Sequence, residues 1–145
     1  MATRYFALIL GIIFLLVGVA AFIPGLVQPG TGEYELVVTG PGTGYLFGLF
    51  HVNVLHNLVH LGFGVWGVIA FGSFMASRAY AKSVAVVYGI LVIMGLVPLL
   101  STTFGLIPIH GHDVWLHLVI ALAAGYFGWA VEPESASEPV RDMGM

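Results

Sequence analysis

Cysteine is absent from this 145-residue chain, which removes disulfides, thiolate-bound metals and thiol nucleophiles together. Charge is scarce as well. Only 8% of the residues are charged, where a soluble domain carries about a quarter. So few charges cannot cover a water-facing surface. The net charge of −3 also offers no basic patch for nucleic acid. A serine-nucleophile motif is missing, and the serine nearest the titratable clusters is Ser101.

What remains is apolar. The chain is 59% hydrophobic with a mean hydropathy of +1.03, so lipid is its expected solvent. A bilayer core of ~30 Å takes roughly 20 apolar residues per helix, which leaves room for four spans. The expected architecture is an all-α membrane protein, a four-transmembrane-helix bundle forming one domain over residues 1–131. Its spans are expected at about 5–27, 53–77, 79–100 and 113–131. The first run is too long for a signal-peptide core of ~7–15 residues and lacks a clean cleavage site, so it reads as a retained helix loosened by Pro24-Gly25. Asn53 is a good N-cap for the second span, and the Asp113 carboxylate suits the positive N-terminus of the fourth. Residues 132–145, EPESASEPVRDMGM, read as a polar, disordered cytoplasmic tail.

Topology follows from the basic residues, since short Lys/Arg-bearing loops stay cytoplasmic. Arg4, Arg78, Lys82 and Arg141 all fall at one edge, so both termini are expected in the cytoplasm. The first outer connection, Gln28 to Val52, is long. Its Tyr34–Thr39 run is strand-like and closed by Gly40-Pro41-Gly42 turn chemistry. Gly44–Phe50 is too short to span and is expected to lie in the outer interface or cap the bundle. The run Gly62-Phe63-Gly64-Val65-Trp66-Gly67 matches a dinucleotide-binding fingerprint, but inside an apolar helix with no preceding strand it is a decoy. Small residues inside the spans instead suit close helix approach in lipid.

All six histidines fall at the other edge, in two stretches: His51, His56 and His60, then His110, His112 and His117. His56 and His60 share a helix face, as do Asp113 and His117. At ~1.5 Å per residue, His60 and His117 lie below the outer headgroups, where ionisable side chains face a bundle interior or a wet cavity. His51, His110 and His112 belong to loops at the water boundary.

Several readings compete for the deeper set. The first is structural: neutral imidazoles hydrogen-bonded to Asn57, Asp113, Ser101 or Thr102 tie spans two and four together. The second makes His56, His60, His117 and Asp113 a metal set suited to zinc, or to iron with open positions. A third makes His60 and His117 the axial ligands of a haem b, although no propionate-binding Arg or Lys lies at that edge. A proton-linked carrier lacks Asp, Glu or His stepping stones in the cytoplasmic half of any span. The expectation is a small structural or accessory membrane protein, non-catalytic and without a cofactor, with zinc, iron or haem binding as the alternative. Its expected partners are the lipid bilayer, a second copy of itself or another membrane protein, and no nucleic acid.

The segment Asn53–Gly64, NVLHNLVHLGFG, resembles a bacterial membrane-protein family, the domain of unknown function 4383. The resemblance extends to FALILGIIFLLVGVAAFIPGL, to the Gly-Leu-Phe-His-Val-Asn approach to span two, and to Asp113 with Leu116-His117-Leu118. It implies a four-helix protein of the bacterial cytoplasmic membrane and carries no activity, substrate or cofactor with it. His51 stands where the family more often has Pro, so the resemblance gives His51 no ligand role.

Overall fold

The computed structural model describes residues 1–30 and 36–132, and the expected tail lies, from residue 133, outside the described residues. The chain is mostly helical: α1 (Ala2–Ala20), α2 (Val54–Ala70), α3 (Phe74–Leu96) and α4 (His112–Gly125), the last continuing into a π-helical turn, Tyr126–Ala130. Three helical segments, Ala2–Ala20, Phe74–Leu96 and His112–Ala130, are long and apolar enough to cross a membrane. Helix α2 has 17 residues, a length of roughly 25 Å.

Helix ends depart from the expected spans where local chemistry breaks the helix. Helix α1 stops at Ala20, short of Val27, because Pro24 has no amide to donate and Gly25 takes φ +91°. The break between α2 and α3 lies at Phe71–Ser73 rather than after Ser77. There Ser73 caps α3, its Oγ accepting from the Ala76 amide at 3.1 Å. Ser77 instead faces inward and donates to the Ala70 carbonyl at 2.8 Å. Arg78 and Lys82 therefore sit on the first turns of α3.

The described parts of the α1–α2 connection form a small sheet. Strands β1 (Val27–Gln28), β2 (Gly44–Leu46) and β3 (Phe50–Val52) pair antiparallel in that order; Val27 faces Leu46, and Tyr45 faces His51. The expected Tyr34–Thr39 strand does not form where it is described: residues 36–39 are irregular, and Val37 and Val38 donate to the Gly105 carbonyl. The apolar Gly44–Phe50 run becomes the β2–β3 hairpin. It buries Leu46 and Val52 against Ala21 and so closes one end of the bundle.

Helix α1 packs along α2 and α3 along α4, around a core of Ala7, Leu10, Phe14, Ala70, Tyr80, Val84, Tyr88 and Ala124. The α1–α2 crossing is made by glycine. A Cβ built on Gly11 would come within 2.8–3.0 Å of backbone atoms of Val68, Gly64 and Gly67. Two glycines of the apparent dinucleotide fingerprint, Gly64 and Gly67, thus serve as helix-packing positions.

The two ends of the bundle differ chemically. At one, Arg4 Nε donates to the Phe71 carbonyl at 2.8 Å, Arg78 Nε donates to the Gly128 carbonyl at 2.9 Å, and Lys82 lies over Trp129. The guanidinium groups complete helix C-termini, where cations are favoured by the dipole. The sheet and the histidines occupy the other end.

Candidate metal centre

Asn53 organises the histidine end. Its side-chain oxygen accepts from the His56 amide at 2.9 Å, starting α2. Its amide nitrogen donates to the Val38 carbonyl at 2.9 Å and the Leu106 carbonyl at 2.6 Å. One buried side chain therefore fixes the first turn of α2 to both irregular connections. The sequence supports the cap alone, because the other two acceptors are main-chain groups 15 and 53 residues away.

From that first turn His56 and His60 point inward, and His117 and Asp113 approach from α4. His56, Asp113 and His117 are all buried, and each offers a ligand atom within 4.8 Å of the others. Ligands set tetrahedrally on an ion with bonds of ~2.0–2.2 Å lie about 3.3–3.6 Å apart, so side-chain movements of up to about 1.5 Å close the set. His60 lies outside this trio. Its ring centroid is 4.5 Å from that of His56, and it stacks on Phe14 at 5.4 Å. Tyr88 meets His117 edge-on at 4.9 Å. Phe14 and Tyr88 escaped the sequence reading because an aromatic in an apolar helix gives no sign of which neighbour it faces.

Polar satisfaction at the cluster is incomplete. Among the described residues, Nδ1 of His56, His60 and His117 and Oδ2 of Asp113 are buried with no hydrogen-bond partner. Buried polar atoms are overwhelmingly paired, so four orphans side by side need a physical account.

The shallower histidines form a separate group. Nδ1 of His51 is 2.9 Å from Nε2 of His110, and the His51 ring stacks on Tyr45 at 4.6 Å. Burial, and then the neighbouring His110, push His51 down to about 4; burial alone lowers His110. Both imidazoles are thus held neutral, one donating and one accepting. His112 is exposed and accepts from Trp115 Nε1 at 3.0 Å.

This pattern lies within a recognised family. The chain belongs to the family described as Domain of unknown function (DUF4383). The family's profile matches residues 4–130, which takes in all four helices, the sheet and every residue of the cluster. No curated protein and no solved structure matches the chain. Membership in DUF4383 carries no activity to transfer, so chemistry here is argued from the side chains.

Two apolar cavities flank the imidazoles. One of about 120 Å³ is bounded by Phe14, Leu46, Phe50 and Leu116, with His60, Asp113 and His117 at its inner wall. The other, about 170 Å³, lies between α2 and α3 and is bounded by His56, His60, His117 and Tyr88. Both fall below the roughly 300 Å³ of a drug-sized ligand. The site does not fit a haem.

Proposed function

We propose that the chain is a four-span protein of the bacterial cytoplasmic membrane that holds a divalent transition-metal ion near its outer face. His56, Asp113 and His117 are the protein ligands. Helix α2, at 17 residues, meets the lower end of the ~17–25 residues that cross a bilayer, and the three longer apolar segments accompany it. The segregation of Arg4, Arg78 and Lys82 from the histidines supports cytoplasmic termini, since basic residues favour that side.

The observation that carries the metal reading is the convergence of three buried, unsatisfied ligand side chains from two helices. A purely structural role requires those polar atoms to be partnered, because an orphaned buried group costs about 1–3 kcal/mol. A cation would take one ligand atom from each of the three side chains and offset the Asp113 charge, leaving the His60 ring beside it. Two imidazoles and one carboxylate suit zinc with a fourth, open position, or iron(II) with several. His60 is a reserve ligand adjoining the trio.

The test is metal content in protein purified in mild detergent without added metal. The expected result is close to one zinc or iron per chain, lost in both His117→Ala and Asp113→Ala. Wild-type protein that is folded, takes up neither ion on titration and gains no thermal stability from them would refute the reading.

A further inference from the structure

Helices α1 and α4 come together closely only at the π turn, where Phe6 stacks on Phe127 with ring centroids 4.5 Å apart. Toward the histidine end they separate, and the 120 Å³ cavity occupies the gap. Its sides are Ile13 and Val17 of α1 and Leu116 and Ile120 of α4, and its roof is the β2–β3 hairpin. The rim residues Ile13 and Phe47 are 47% and 54% exposed. Ile13 lies on the exposed side of α1, the side that a span presents to lipid, and Phe47 lies in the hairpin above it. Among the described lining residues, only His60, Asp113 and His117 carry polar side-chain atoms. These are the same side chains whose Nδ1 and Oδ2 atoms have no partner.

We propose that this lateral cavity admits a small uncharged molecule from the bilayer and presents its single lone-pair atom to the metal held by His56, Asp113 and His117. The inference rests on the metal reading for the polar end of that contact. Size follows from volume, since an apolar cavity of ~150 Å³ takes a benzene-sized guest. Charge follows from the walls, because an ion entering through Phe14, Leu46, Phe47, Phe50 and Leu116 loses its hydration with nothing to replace it. A neutral, lipid-soluble molecule about the size of one ring meets neither obstacle. Three protein ligands leave an open position, and Asp113 and His117 border both the ion site and the cavity. The roof is apolar on its inner side, where Leu46 and Val52 are 1% exposed.

The probe is 3-fluoropyridine, a neutral one-ring molecule with one lone-pair nitrogen, followed by fluorine NMR in nanodiscs. Metal content is measured on each sample. Binding is expected with zinc-loaded protein and at least tenfold weaker after metal removal. Ile13→Trp, which fills the mouth, should weaken binding at least tenfold at unchanged metal content. Ile12→Trp on the neighbouring lipid-facing position should leave it unchanged. Azide, a charged metal ligand of smaller size, should compete poorly. Metal-loaded protein that ignores the pyridine, or that binds azide more tightly, overturns the cavity inference and leaves the metal reading intact. Protein that takes up no metal overturns both. Pyridine binding that persists undiminished without metal, or in Ile13→Trp, removes the link between cavity and ion.

Discussion

Two glycines in one helix, two residues apart, should respond oppositely to the same substitution. On α2, a Cβ built on Gly62 meets nothing within 4 Å, whereas one on Gly64 would lie 2.8 Å from the Leu15 backbone nitrogen and 2.7–2.9 Å from its side chain. Ordinary carbon contacts sit at about 3.5–4.0 Å, so Gly64→Ala forces α1 and α2 apart by several tenths of an ångström. A backbone atom cannot rotate away. The helix-propensity gain, up to about 1 kcal/mol for Gly to Ala, is common to both variants and cancels in their difference. The remainder is overpacking, about 1–3 kcal/mol. Gly62→Ala should therefore be neutral or stabilising, and Gly64→Ala less stable than it by about 1–3 kcal/mol, in reversible unfolding from mixed micelles. Because α2 also carries His56, Gly64→Ala should weaken metal uptake while Gly62→Ala does not. Equal stability of the two variants would refute the close glycine crossing and the helix placement derived from it.

Asn53→Ala removes a cap and two donors together and should cost about 2–4 kcal/mol by the same unfolding measurement. Asn53→Asp keeps the cap but aims an oxygen at the carbonyls of Val38 and Leu106, so it should not rescue stability. Metal affinity should fall more in His117→Ala than in His60→Ala, read by competition with a chromophoric chelator, because His60 lies outside the converging trio; equal losses would place His60 among the ligands. Stability should also depend on pH through His51 and His110. Their folded pKa values lie below the usual His value of 6.5, so the unfolded chain binds more protons as pH falls. The pair's contribution is then complete above about 6.5 and falls as the pH drops below it, the His51 part being lost toward about pH 4. Replacing both with Gln should flatten that slope, and an unchanged slope in the double variant would show that another group controls it.

The sequence by itself determined the strongly apolar character, the helical class and the separation of basic residues from histidines. Each of these depends on composition and order along the chain: 8% charge is far below that of a water-covered domain, and Arg4, Arg78 and Lys82 alternate with the histidines at the spacing of successive helices. It also determined that His56 and His60 share a face, because four residues are about one helical turn. Tertiary structure decided which histidines converge. His56 joins Asp113 and His117, and His60 turns to Phe14, because the rotation of α2 is set by glycine contacts at Gly11, Gly64 and Gly67. Those contacts depend on pairs of backbones from distant segments, and no local spacing encodes them. The folding of the Gly44–Val52 segment into a hairpin roof was likewise decided by burial of Leu46 and Val52 against Ala21. Apolar letters state how much surface must be hidden, and only the packed fold states what hides it.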